Sequence, residues 1–255
     1  MERRKSRRIT GTATFYIPVA ILFVIVFMLM GTSVFLRIAN IEVTGVSKYI
    51  PSEIIKESGI AIGDSILKMD IQSASERISS IMPYIEQVDI QYTLPDTVHI
   101  TVKESYAVAS IAVNGGVAIV NAHGKILEIT DKKPKNSIEI IGFTPLEVSA
   151  GTNIRSEPNE DTKLRYLLEV LTAIDEAMIQ DDISYVDVTN FSRINIGYKG
   201  MYTVLLGGST DALDKFKRLP IAIAGVEQDA DFDATSRYMI DTTDTSGSWR
   251  CTPIR

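Results

Sequence analysis

Cysteine, histidine and tryptophan are all scarce in this 255-residue chain, which holds one Cys, two His and one Trp. Cys251 has no second cysteine to pair with, so no internal disulfide can form and stability must come from a buried core. A domain this poor in cysteine fits a bacterial exterior better than a eukaryotic secretory pathway. His99 and His123 belong to no ligand pattern such as H-E-x-x-H, and no nucleophile elbow or glycine-rich phosphate loop occurs. Cys251 has only Arg250 nearby to lower its thiol pKa. Asp229, Asp231 and Asp233 alternate as a calcium loop begins, yet that loop needs Gly where Ala234 stands and Glu where Ile240 stands. The reading is therefore a non-enzyme with no catalytic residue, no metal ligand and no cofactor.

Charge is missing altogether between Phe15 and Leu36, a stretch dense in Ile, Val, Leu, Phe and Met. At ~1.5 Å per residue, ~20 helical residues cross the ~30 Å hydrocarbon core. A cleaved signal would have an apolar core of ~7–15 residues ahead of small residues, whereas Gly31-Thr32-Ser33 leads into Val34-Phe35-Leu36. A buried core helix would show a polar face, and none is present. The net charge of −6 is divided unevenly. Residues 1–14 carry +4, which leaves −10 for residues 37–255 (−6 less +4). An acidic ectodomain argues against nucleic-acid binding. Basic residues ahead of the span predict a cytoplasmic N-terminus and an external C-terminus.

Beyond the span, Ile38, Ile41 and Val43 predict a short strand ending at Gly45. Pro51 opens a helix that Gly59 closes. Asp70 can cap a second helix with Ile71, Ala74, Ile78, Ile81 and Met82 on one face. Two alternating strands follow, one with Val88, Ile90 and Tyr92 on a face, the other with Val98, Ile100 and Val102, joined by Leu94-Pro95-Asp96-Thr97. The order is β-α-α-β-β.

These residues carry a resemblance. "IIKESGIAIGDSIL", then "IMPYIEQVDIQYTLPDTVHITVKESYAVA", resembles a POTRA domain. Its position after one N-terminal span resembles the FtsQ/DivIB family of bacterial division proteins.

From Tyr106 onward, short strands and tight turns predict a second, larger mixed-sheet domain. A hairpin is expected over Val108–Val120, then a strand from Lys125 to Ile129 and a charged loop, Asp131 to Asn136. A helix from about Asp161 to Gln180 carries a stripe of Leu164, Leu167, Leu168, Leu171, Ile174 and Met178. Strands are expected near Ile183–Val188, Ile194–Tyr198 and Tyr202–Leu206. Ser209 or Thr210 would cap a further helix that ends at Pro220, and a last strand would span about Ser236–Thr243. "YTVLLGGSTDALDKFKRL" and "RYMIDTTDTSGSW" also resemble blocks of the family. The fold class is α+β: a basic tail (1–14), a transmembrane helix (15–36), the POTRA domain (37–105), a β domain (106–243) and a C-terminal tail (244–255).

A tethered ectodomain with no reactive constellation is suited to holding partners, and an unpaired terminal strand can accept a partner strand. The resemblance implies that this is the route by which the chain binds an FtsB/DivIC-type partner. Together with an FtsL-type protein, that assembly would help control septal peptidoglycan synthesis, with septal synthases further out. On matching positions, Thr243, Asp244, Ser246 and Trp249 would touch the partner while Tyr238 and Ile240 frame the strand. The implied location is the bacterial cell membrane at the division septum. Three alternatives stay open at this point. The strand could merely complete the core ahead of a frayed end. The chain could be a membrane-anchored cell-wall enzyme using carboxylates such as Asp181 and Asp182. It could also be a POTRA-bearing part of an envelope or secretion complex.

Overall fold

The computed structural model describes residues 16–27, 36–244 and 248–254. Residues 16–27 form helix α1, with Phe23 and Phe27 among its exposed apolar side chains. Phe15 and residues 28–35 of the expected span lie outside the described residues. Among the described residues, no helix is long and apolar enough to cross a membrane. The chain divides into two compact units, one running to Ile78 and including Gln87–Lys103, the other made of Ser79–Glu86 and Glu104–Arg255.

The first unit holds a three-stranded sheet in the order β1-β3-β2, with β1 at Asn40–Thr44, β2 at Ile85–Thr93 and β3 at Thr97–Glu104. Strand β1 runs parallel to β3, Asn40 beside Thr97. On β3 the period of two holds: Val98, Ile100 and Val102 are buried. His99, on the opposite face, reaches Glu42 at 3.1 Å and Thr93 at 3.0 Å. Helix α2 (Pro51–Ser58) ends at Gly59 with φ 71°, the left-handed cap that glycine adopts without strain. Helix α3 (Ile71–Ile81) starts at Asp70, whose carboxylate accepts from the Ser73 N–H at 3.0 Å. Two residues expected inward are exposed, Ile81 and Tyr92. Each sits at the end of its element, where no further turn or strand residue covers it.

The second unit is built on a nine-stranded sheet in the order β12-β11-β10-β9-β8-β7-β4-β5-β6. Strands β4 (Ala109–Val113), β5 (Gly116–Val120) and β6 (Ile126–Thr130) form the antiparallel meander that the turns predict. Strand β7 (Ile138–Ile141) is not foreseen by the sequence reading, yet it lies mid-sheet, parallel to β4 on one side and to β8 (Ile183–Asp187) on the other. Strands β9 (Ile194–Tyr198) and β10 (Tyr202–Gly207) then run antiparallel. Strand β11 (Arg237–Asp241) returns parallel to β10.

Two crossovers shape this unit: β7 to β8 through α4 (Asp161–Glu176) and β10 to β11 through α5 (Ala212–Glu227). Strands β7 and β10 point the same way and both crossovers step in the same direction along the sheet. The shared right-handed rule therefore puts both helices on one face. There Leu167, Leu171, Ile174, Phe216, Leu219 and Ile223 are buried in one apolar cluster with the strands.

The helix limits differ from expectation in three places. Helix α4 stops at Glu176, so Met178 is exposed with φ 56° and Ile179 takes the buried position instead. Helix α5 does not end at Pro220 but passes through it. Pro220 itself lies on the solvent side, while the buried Leu219 and Ile223 anchor the helix on either side. Its start also differs. Asp211 is the N-cap residue, and the Ser209 hydroxyl donates to Glu169 rather than capping the helix.

Candidate functional site: the C-terminal edge of the large sheet

The strand expected to be last is not the edge. Within residues 244–255, expected as a tail, Arg250–Ile254 form β12, antiparallel to β11 with Ile240 opposite Cys251 and Tyr238 opposite Pro253. Among the described residues, the open edge on this side is therefore β12.

Backbone alternation shows which groups that edge presents. The Tyr238 N–H donates to Met201 O at 3.1 Å and the Thr242 N–H to Leu205 O at 3.0 Å, so Tyr238, Ile240 and Thr242 face β10. Arg237, Met239 and Asp241 consequently face β12, which turns Ile254, Thr252 and Arg250 toward β11. Cys251 and Pro253 are left facing away from the sheet. Cys251 offers both an N–H and a C=O, whereas Pro253 offers only a C=O.

Of the residues singled out from sequence, Tyr238 and Ile240 are buried. The Tyr238 ring stacks on Phe232 at 5.3 Å, and its hydroxyl accepts from the Asp233 N–H at 2.8 Å. Thr243, Asp244 and Trp249 come together around one cavity of about 360 Å³, with Lys215, Arg218 and Asp214 of α5 on its other wall. The Arg218 guanidinium lies 5.0 Å from the Trp249 ring centre. Lys215 donates to Leu206 O at 2.8 Å, and burial pulls its ammonium pKa below the usual value. The Thr243 hydroxyl and N–H both donate to Asp241, at 2.6 and 2.9 Å, and hold its carboxyl below the ordinary range. Ser246 lies outside the described residues.

Cys251, read from sequence only as an unlikely nucleophile, contributes backbone to the open edge. Its half-buried thiol is pushed up by desolvation, away from the reactive thiolate. Arg218 and Pro253 were not singled out by the sequence reading. A proline between Thr252 and Ile254 is a usable sign of an edge strand, but only once a partner for that segment is known.

The other candidate groups are engaged structurally. Asp233 accepts from Thr235 and Ser236, which closes the turn before β11. Asp182 accepts from the Tyr198 hydroxyl at 3.1 Å. His123 stands 3.5 Å from Glu86. Among the described residues, no three His, Cys, Asp or Glu side chains are grouped to hold a metal ion.

The family model for the POTRA domain, FtsQ-type, matches residues 36–105, the stretch that forms the three-stranded sheet and its two helices. The cell division protein DivIB of Clostridium botulinum is 30% identical over 71% of this chain and 69% of its own length. The cell division protein FtsQ of Streptomyces bingchenggensis is 25% identical over 92% of this chain and 85% of its own. A solved structure, the major extracytoplasmic domain of the trans isomer of DivIB from Geobacillus stearothermophilus, covers 50% of this chain and 98% of that one at 14% identity and a TM-score of 0.32.

Proposed function

Because the chain belongs to the FtsQ/DivIB family of cell division proteins, we propose that it is a non-catalytic, membrane-anchored scaffold at the division septum. It recruits FtsB/DivIC-type and FtsL-type partners and so helps control septal peptidoglycan synthesis.

The observation that carries the partner site is the open edge of β12. A strand from the FtsB/DivIC-type partner adds to Cys251, using its N–H and C=O, and reaches the Pro253 carbonyl. With one donor in this stretch, backbone pairing alone is short. Specificity falls to the neighbouring cavity, where Thr243, Asp244 and Trp249 meet the partner's side chains beside the Tyr238 and Ile240 framework, and Ser246 is kept as a partner contact on its place in the sequence.

The anchor is the uncharged run from Phe15 to Leu36. At ~1.5 Å per residue its 22 residues reach about 33 Å, enough for the ~30 Å hydrocarbon core. Helix α1 is apolar all round, as a lipid-facing helix must be. The basic segment before it keeps the N-terminus in the cytoplasm.

The test is co-capture of the FtsB/DivIC-type partner from membranes by the full-length protein. Cys251→Pro removes the outward N–H without touching the β11–β12 bonds and should lose capture, while Cys251→Ala should retain it. Undiminished capture by Cys251→Pro would displace the site from β12. Turnover of a wall substrate by the purified ectodomain would overturn the scaffold reading itself.

A further inference from the structure

The start of β1 fixes which end of the first unit lies nearest the anchor. Residues 36–40 carry the chain out of the apolar run, and two loops are tied to them. From the loop between α2 and α3, the Gly63 N–H donates to Ile38 O at 2.8 Å and the Ile66 N–H to Leu36 O at 3.1 Å. In return the Ile38 N–H donates to Asp64 O at 2.9 Å, and the Arg37 guanidinium donates to Gly63 O at 2.8 Å. From the β2–β3 turn, Asp96 O accepts from the N–H groups of Ala39 and Asn40, at 2.8 and 3.2 Å. Because β1 and β3 are parallel, that turn must lie at the end where β1 begins.

Both loops carry large apolar side chains that the fold leaves uncovered: Ile62 is 72% exposed, Leu67 64% and Leu94 58%. Single exposed apolar residues are ordinary. Here all three sit on the two loops bonded to the residues where the chain leaves the anchor, and Arg37 and Lys68 stand beside them.

We propose that Ile62, Leu67 and Leu94 form a foot that seats the POTRA domain on the outer lipid surface. Their side chains enter the zone between headgroups and acyl chains, a depth of about 5–10 Å. Arg37 and Lys68 meet the phosphates of anionic lipid. The foot adds a second point of attachment to the anchor, and so limits the directions in which the remainder of the ectodomain can meet its partners.

This inference rests on the anchor reading, and one experiment separates the two. The full-length protein with Trp249→Phe is placed in nanodiscs of phosphatidylcholine and phosphatidylglycerol, with or without lipid brominated near the acyl carbonyls for the surface positions or near the middle of the acyl chains for position 23. A single tryptophan is introduced by Ile62→Trp, Leu67→Trp or Leu94→Trp, or by Phe23→Trp as a reporter of the anchor. Ile50→Trp serves as the comparison. It lies past the far end of β1, whose rise from Asn40 to Thr44 is about 13 Å at ~3.3 Å per residue.

The expected result is quenching and a blue-shifted emission maximum at positions 62, 67 and 94, with neither at position 50. If position 23 is quenched while 62, 67 and 94 behave like 50, the foot is wrong and the anchor stands. If position 23 is not quenched either, the anchor reading fails and takes the foot with it.

Discussion

Arg218 on α5 lies over the Trp249 ring, its guanidinium carbon 5.0 Å from the ring centre. Trp249 is thus not a loose anchor in a free tail. It is partly buried against the main apolar cluster, so replacing it affects the fold as well as any partner. A cation–π contact at an accessible site is worth about 0.5–1 kcal/mol. Trp249→Ala should therefore lower the thermal midpoint by a few degrees, at roughly 2–4 °C per kcal/mol for a unit of this size. Arg218→Ala should do so by less, and the double mutant should show coupling of about 0.5–1 kcal/mol. Asp244→Ala, on the same cavity but exposed, should move the midpoint less than Trp249→Ala while weakening partner capture. A Trp249→Ala variant with an unchanged midpoint would contradict the packing described.

Pro253 blunts the edge that Cys251 leaves open. Exposed edges invite pairing with other copies, and proline is one of the devices that prevents it. Pro253→Val supplies the missing outward N–H and should make a fragment of residues 37–255 self-associate, read as a shift in sedimentation with concentration. Thr252→Pro is the contrasting change, since it removes an N–H that faces β11. It should loosen β12 and lower stability without promoting association.

The sequence is most legible where structure is local. The POTRA elements follow from caps, a helical stripe and period-two strands, each visible within about a dozen residues. Strand β7 is four residues long, and both of its neighbours are parallel strands distant in sequence, so nothing nearby marks it as mid-sheet. Strand β12 is polar and holds a proline, and becomes a strand only through pairing with β11. For the same reason the candidate site was half visible. Thr243, Asp244 and Trp249 were singled out and share a cavity, but the edge beside them belongs to residues whose backbone, rather than side chains, does the work.

Gly45 shows a local constraint with a steep penalty. It has φ +84°, and a Cβ there would stand 1.9 Å from the Val102 carbonyl oxygen on the central strand. Neither group can retreat without breaking the β1–β3 ladder. Gly45→Ala should cost about 3 kcal/mol or more, combining left-handed strain with the clash. It should act on the POTRA domain, read as early loss of amide protection in β1 and β3 while the large sheet stays protected.

Asp241 gives the site a pH signature. The Thr243 hydroxyl and N–H both donate to its carboxylate and hold its pKa below the usual value, with Arg250 and Arg193 adding to the effect. A carboxyl whose folded pKa is depressed contributes stability above its unfolded pKa of about 3.9, and that contribution is lost as pH falls through the lower folded value. Thr243→Ala deletes the hydroxyl donor but keeps the N–H, so the Asp241 pKa should move back part of the way toward the ordinary range. Wild type should then be slightly more stable than the variant at neutral pH, with the gap closing below the carboxylate range. A carboxylate titration followed by NMR, paired with denaturant unfolding at neutral and acid pH, reads both effects. Identical Asp241 titration in the two proteins would show that the hydroxyl does not set this turn, and the wall it forms around Trp249 would need another support.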